Sequence, residues 1–229
     1  VRFVSSVHAY ILHARPYRET SLMLDCLTKE CGRISVAARN ARGNSSRFRG
    51  ACQLFSPLLF NLRGIKSPYN LMQLEICDSP YRLVGDALLC GFYVNELFCK
   101  LINAEEDSEL VFNLYEETLL QLHQPQNIEI VLRIFEKKLL SVLGYELSWT
   151  HTADDNMPID PDRHYNFYLQ QGFILASKLD DYAYPGSSLL AMHQENITDI
   201  DAVYLKKIMR QRINFYLDGI PINSRKNFF

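Results

Sequence analysis

The sequence predicts an α+β protein: a small N-terminal five-stranded β-barrel followed by an α-helical domain. Three observations carry that expectation. Apolar residues in the first eighty positions recur with a period near two, in five short runs separated by turn residues. Beyond Pro80 the period lengthens to about 3.6 residues. The charge changes sign at the same place: residues 1–80 carry eleven basic and five acidic side chains, net +6, and the other 149 residues are net −8. The expected domains are therefore residues 1–79 and 80–229, the second with an irregular insert near 150–185. A chain of 229 residues, 48% hydrophobic and 22% charged, has enough apolar mass for two ordinary domains and is not disordered on a large scale.

The strands follow in order. Val4 to Leu12 is a β-compatible run, and Ser21 to Leu27 is a second. Lys29-Glu30-Cys31-Gly32 supplies a tight turn with Gly32 at its φ > 0 position, and Arg33 to Ala38 alternates as the third strand. Leu54 to Leu62 reads as a fourth, interrupted by Pro57 and so an edge or bulged strand. After a turn over Gly64 to Asn70, Leu71 to Ile76 alternates as the fifth. Five short strands in this length suit a small barrel, and the five-stranded OB-fold is the commonest such barrel that binds nucleic acid.

The helices come next. Asp86 to Ile102 is apolar over most of its circumference (Leu88, Leu89, Phe92, Tyr93, Val94, Leu97, Phe98, Leu101), which marks a buried central helix, with Gly91 permitting close approach by a neighbour. Glu109 to His123 is a second helix. Asn127 caps a third, whose Ile128, Val131, Leu132, Phe135, Leu139 and Val142 recur at three- and four-residue steps and which Gly144 closes. Residues 150–172 are irregular, Phe173 to Leu175 is strand-like, and a turn follows at Pro185-Gly186. The last helix opens on the capping-box pattern Thr198-Asp199-Ile200-Asp201 and runs to about Leu217.

Several classes of function lack their signatures. There is no Gly-rich loop ending in Lys-Ser/Thr, no His-Glu-x-x-His and no Gly-x-Ser-x-Gly, so no enzymatic activity and no cofactor are expected. The six cysteines all lie between positions 26 and 99 and form no Cys-x-x-Cys pair, so they read as small core residues. No apolar run reaches the roughly 18 residues of a membrane span, which suggests a soluble, cytoplasmic protein with no membrane partner.

The most informative stretch is Arg39-Asn40-Ala41-Arg42-Gly43-Asn44-Ser45-Ser46-Arg47-Phe48-Arg49-Gly50. It holds four arginines, two glycines and one aromatic, with no acid. Guanidinium forks suit phosphate oxygens and Phe48 suits base stacking, so the loop points to a polyanion. Arg15-Pro16-Tyr17-Arg18, between the first two strands, either lines the same barrel face or is a plain turn; the residues leave both open. Asp160, Asp162 and His164 space themselves like the start of a calcium loop, but Tyr165 stands at the glycine position and Gln171 at that of the bidentate Glu. A solvated acidic loop fits better, and no metal site is expected. Arg133, Lys137 and Lys138 on the third helix, and Lys206, Lys207 and Arg210 on the last, form basic stripes in an acidic domain, each also readable as a solvated face.

The run His13-Ala14-Arg15-Pro16-Tyr17-Arg18-Glu19-Thr20-Ser21-Leu22-Met23-Leu24-Asp25 resembles the N-terminal signature of the bacterial recombination mediators of the RecO family. The likeness continues in order through Lys29-Glu30-Cys31-Gly32-Arg33, Ala38-Arg39-Asn40-Ala41-Arg42, Leu54-Phe55-Ser56-Pro57-Leu58, Tyr93-Val94-Asn95-Glu96-Leu97, Arg133-Ile134-Phe135-Glu136 and Leu143-Gly144-Tyr145. It ends in Tyr216-Leu217-Asp218-Gly219 and Ser224-Arg225. The resemblance implies an OB-fold followed by a helical domain in a DNA repair mediator of the RecF pathway, monomeric on its own and nucleoid-associated. It implies binding of single- and double-stranded DNA, annealing of complementary strands without ATP, and partnership with RecR in loading RecA on DNA coated by single-strand-binding protein (SSB). Many members hold zinc through two Cys-x-x-Cys pairs near the equivalent of 150–172; this chain has no cysteine after Cys99 and resembles the zinc-less branch. Asn223 stands where the family often has Lys in its tail.

On this basis the DNA-binding residues are expected to be Arg15, Tyr17, Arg33, Arg39, Arg42, Arg47, Phe48 and Arg49. The acidic, Phe-ending tail of SSB is expected at Arg133, Phe135, Lys137, Lys138 and Leu139, with Lys206, Lys207 and Arg210 as the rival site. The competing readings are an RNA-binding OB module and a metal-dependent nuclease or hydrolase using Asp160, Asp162 and His164.

Overall fold

A computed structural model describes residues 3–43, 46, 48, 50–103, 108–124, 127–177 and 183–227. Contacts group the chain into two compact units, Val1–Pro125 with Ile222–Phe229, and Gln126–Pro221.

The first unit is built on five strands: β1 (Phe3–Tyr17), β2 (Ser21–Thr28), β3 (Gly32–Ala38), β4 (Leu58–Arg63) and β5 (Tyr69–Ile76). They close into a barrel in the order β1-β2-β3-β5-β4, with β3 and β5 parallel and the other pairs antiparallel. The interior is filled by alternate residues, among them Val7, Ala9, Ile11, Leu24, Cys26, Val36, Phe60, Leu62 and Leu71. Gly32 turns β2 into β3 with φ +65°, as the sequence predicts.

Two strands differ from expectation. β1 runs on through Pro16 to Tyr17, because β2 pairs with it all the way from Ala9 to Tyr17. Pro16 is tolerated there since β4 pairs with β1 only as far as Ala9, leaving the far stretch as an edge. β4 begins after Pro57, and Leu54 makes only an isolated bridge to Ile11. Pro57 cannot donate to a ladder, and Phe55 takes φ +58°, outside the strand region.

Two helices belong to the same unit, α1 (Asp86–Leu101) and α2 (Ser108–His123). Tyr10, Leu12 and Leu27 lie outside the interior set yet are buried, and by contacts these two helices group with the barrel. The register shift between Ile11 and His13 leaves the Leu12 carbonyl to accept from Asn95 Nδ2 (2.9 Å), and Tyr115 OH donates to Asn95 Oδ1 (2.7 Å). Gly91 is required by close approach: a Cβ there would stand 2.7 Å from Leu83 Cδ1 and 2.9 Å from Phe55 Cζ. The C-terminal segment is held by one carboxylate. Glu96 accepts from the Asn223 and Ser224 backbone N–H groups (2.8 Å each), from Ser224 Oγ (2.7 Å) and from Lys100 Nζ. Beside it, Arg225 lies over the Tyr93 ring (5.5 Å) and donates to Tyr93 OH (3.2 Å).

The second unit contains α3 (Ile128–Val142), β6 (His164–Tyr168), β7 (Gly172–Leu175), β8 (Tyr184–Pro185), α4 (Gly186–Gln194) and α5 (Asp199–Tyr216). The strands form a small sheet in the order β7-β6-β8. Asn127 caps α3 by accepting from Glu129 N (2.9 Å). Thr198 Oγ1 accepts from Asp201 N (3.3 Å) while Asp201 Oδ2 accepts from Thr198 N (2.9 Å), which completes the expected capping box. α4 stands where only a turn is expected: Pro185 precedes its first residue, and Leu189 and Met192 bury one face. Among the described residues no helix is long and apolar enough to cross a membrane.

Candidate nucleic-acid interface

The register builds the site. Residues directly opposite on neighbouring strands point to the same side of a sheet. Arg15 is opposite Met23, Met23 opposite Ala37, Ala37 opposite Asn70 and Asn70 opposite Arg63, so these five form one row across four strand pairings. Their chain neighbours Leu24, Val36, Leu62 and Leu71 fill the barrel interior, which puts the row on its outer surface.

A groove runs along this row. Met23 and Ala37 line it between the β1–β2 turn, represented by Tyr17, Arg18 and Thr20, and Pro68 at the end of the β4–β5 loop. It continues past Arg39 and Asn70 to Arg63, Ile65 and Met72. Where the two stretches meet, Arg39 Nε donates to Asn70 Oδ1 (3.0 Å). The chain leaving β3 is pinned beside the groove: Arg42 N donates to the Thr20 carbonyl (2.7 Å) and Asn40 N to Ser21 Oγ (3.3 Å). Two guanidinium groups lie over exposed rings, Arg18 over Tyr17 at 5.2 Å and Arg63 over Phe3 at 5.6 Å.

The electrostatics of the groove are one-sided. Arg15, Arg18, Arg39, Arg42 and Arg63 form no ion pair with a carboxylate among the described residues. Asp25, further along the same face of β2, is occupied: Oδ1 accepts from Ser35 Oγ (3.0 Å) and Oδ2 lies 3.8 Å from His13 Nδ1. A row of guanidinium groups over an apolar floor can hold phosphate oxygens through charge-assisted hydrogen bonds without reading sequence.

Of the sequence-predicted residues, Arg15, Tyr17, Arg39 and Arg42 come together here. Two do not. Arg33 Nε donates to the Ile102 carbonyl (2.7 Å) and so satisfies an end group of α1. Phe48 is 4% exposed and packed in the barrel core, so its ring has no face to offer a base. Arg47 and Arg49 lie outside the described residues. Arg18, left open by the sequence as face or turn, lines the groove, and so do Arg63 and Asn70, which the sequence reading did not single out. The signal for the last two was the run 61–74, which carries Arg63 and Lys66 and no acid.

The α3 residues expected at the docking face are engaged within the protein. Arg133 is 2% exposed and its Nη1 lies 3.1 Å from Glu136 Oε2, while Phe135 and Leu139 are core residues. Lys137 Nζ donates to the Met192 and His193 carbonyls (2.9 and 3.1 Å) and to Glu195 (3.1 Å), and Lys138 lies 3.4 Å from the same carboxylate. Phe135 and Leu139 face inward because the apolar stripe of an amphipathic helix is what its neighbours cover. On α5, Lys206 pairs with Glu129 (2.9 Å), whereas Lys207 and Arg210 are exposed. The acidic loop uses its carboxylates locally: Asp155 Oδ1 accepts from Thr152 Oγ1 (2.5 Å), and Asp160 Oδ1 accepts from Asp162 N (2.9 Å). Among the described residues no three His, Cys, Asp or Glu side chains are placed to hold a metal ion.

A closed five-stranded barrel followed by helices is an OB-fold with a helical domain, and its cationic groove lies over β2 and β3 between the β1–β2 and β4–β5 loops, the face on which OB-folds generally take nucleic acid. Models of the two halves of one family match in order, recombination protein O N-terminal over residues 4–80 and recombination protein O C-terminal over residues 82–226. Similar proteins include the DNA repair protein RecO of Coxiella burnetii (strain RSA 493 / Nine Mile phase I), 39% identical over 223 residues that cover 96% of each chain. Those of Vibrio parahaemolyticus and Vibrio cholerae (El Tor Inaba N16961) are each 36% identical over 220 residues, covering 96% of this chain and 90% and 91% of theirs. The chain belongs to the recombination protein O family.

Proposed function

We propose that this protein is a non-enzymatic DNA repair and recombination mediator of the RecF pathway that binds single- and double-stranded DNA. The groove carries the reading: five arginines without carboxylate partners among the described residues stand along one OB face, Arg39 and Arg42 at the exit of β3 and Arg63 at the end of β4. Annealing needs no nucleotide on such a surface. Neutralised phosphates let two polyanionic strands approach, and base pairing supplies the free energy. On this reading RecR is the partner in loading RecA, and the protein acts as a monomer in the cytoplasm at the nucleoid. The SSB tail docks on α5, where exposed Ile200 and Val203 stand two turns before Lys207 and Arg210 respectively and offer apolar surface beside cations.

The test is the salt dependence of binding to a single-stranded DNA oligomer. Each phosphate contact contributes about −0.7 to the slope of log K against log salt, so replacing Arg39, Arg42 and Arg63 together by Ala is expected to flatten it by about 2. An unchanged slope in a folded variant would remove the groove from the binding site. Equal or tighter binding of an RNA oligomer of the same sequence would favour the RNA-module reading.

A further inference from the structure

We infer that the groove selects unpaired bases: Tyr17 backed by Arg18 in the groove, and Phe3 beside it under the groove-lining Arg63, are two base-stacking stations, and its preferred occupant is a single DNA strand over a duplex. The inference rests on the DNA-binding reading above and says which form of DNA that site takes.

Arginines alone do not discriminate, since a duplex and a single strand both present phosphates. What discriminates is apolar surface that only an unpaired base can cover. Tyr17 is 36% exposed and Phe3 is 66% exposed, an uncommon outlay of aromatic surface on one barrel. Neither ring is isolated. Arg18 lies over Tyr17 at 5.2 Å, and Arg63, directly opposite Phe3 in the β1–β4 register, lies over that ring at 5.6 Å. A guanidinium on a ring orients it by cation–π attraction and keeps N–H donors beside the ring, within reach of the phosphate of a nucleotide stacked on it.

One station lines one end of the groove, and the other adjoins the opposite end through its guanidinium. Tyr17 and Arg18 line the stretch over β2 and β3, and Arg63 lines the stretch over β4 and β5. Between them, the hydrogen-bonded Arg39 and Asn70 present polar groups at the middle of the path. Met23, Met72 and Ile65 add apolar lining that a stack of paired bases, with its edges facing outward, would leave uncovered. Stacking of this kind tolerates any sequence, because every base has a π face.

The experiment uses the full chain and three fluorescent ligands of equal length: an oligo-dT strand, an abasic strand with the same phosphates, and a duplex. Wild type is expected to bind oligo-dT at least about 10-fold more tightly than the abasic strand or the duplex at one salt concentration. Phe3→Ala and Tyr17→Ala are each expected to weaken oligo-dT binding by about 5-fold or more while changing abasic binding by less than about 2-fold, and Phe3→Trp is expected to restore it. Equal binding of oligo-dT and abasic strands by wild type, or equal losses for both in the ring variants, would overturn the inference. If Arg39→Ala and Arg42→Ala still weaken all three ligands in that case, the DNA reading stands without the stacking stations. If those arginine variants change nothing, the DNA reading fails, and the inference with it. Both rings are exposed, and matching wild-type melting curves for the variants would separate lost binding from lost fold.

Discussion

Arg133→Ala is expected to unfold the second unit more easily and to do little else. The side chain sits 2% exposed on α3, one turn before Glu136, with Nη1 3.1 Å from Glu136 Oε2. Alanine removes the cation and leaves the carboxylate buried without it. Breaking a buried pair from one side costs about 3–5 kcal/mol, because the remaining charge loses its counter-ion in a low-dielectric interior. For a unit of the size of Gln126–Pro221, 96 residues, that loss lowers the melting temperature by more than about 10 °C. The pair itself is not tightly satisfied, since among the described residues Arg133 Nε has no hydrogen-bond partner. Replacing both members, Arg133→Met with Glu136→Leu, is therefore expected to return stability to within about 1–2 kcal/mol of wild type or above it. Urea denaturation of the wild type, the single variant and the double variant, followed by circular dichroism, makes the measurement. A single variant with the wild-type midpoint would show that the guanidinium is solvated, and would reopen α3 as a docking face.

Two further predictions follow from how individual side chains are placed. Burial pushes the Glu96 carboxyl up, but hydrogen bonds from Lys100, Ser224 and Asn223 outweigh it and hold the group at about 2 against an ordinary 4.5. Its stabilisation is thus complete above pH 4.5 and is lost as the pH falls through about 2; Glu96→Gln is expected to reduce the acid sensitivity of the unfolding midpoint in that window, and an identical pH profile would refute the clamp on the C-terminal segment. Phe48→Ala is expected to cost about 3–5 kcal/mol in stability without changing the salt slope of DNA binding, and a stable variant with weakened stacking would restore Phe48 to the interface.

The sequence alone determined the fold class and the location of the charge. Period-two alternation reports which residues share a face of a strand, and the β2–β3 hairpin was legible down to its glycine. Local hydrogen-bonding groups report helix starts, so Asn127 and the Thr198–Asp201 box were legible too. α4 was not, because nine residues opening on Pro185-Gly186 carry too little periodicity to outweigh a turn signal. The boundary of the first unit was also decided in three dimensions, since nothing local in Tyr10 or Leu27 says that their side of the barrel is covered.

The site divided in the same way. Composition pointed to the β3–β4 connection, and Arg39 and Arg42 do stand at the groove. Tertiary structure alone separated Arg33, which satisfies a carbonyl beyond α1, from Arg39 six residues on. It put Phe48 inside the barrel and Phe3 outside it, and it turned Arg133 inward toward Glu136. A sequence records what a side chain can bond to. Whether that bond is made within the protein or left for a ligand depends on what the fold brings within about 3 Å, and for an arginine or an aromatic ring the partner comes from distant segments of the chain.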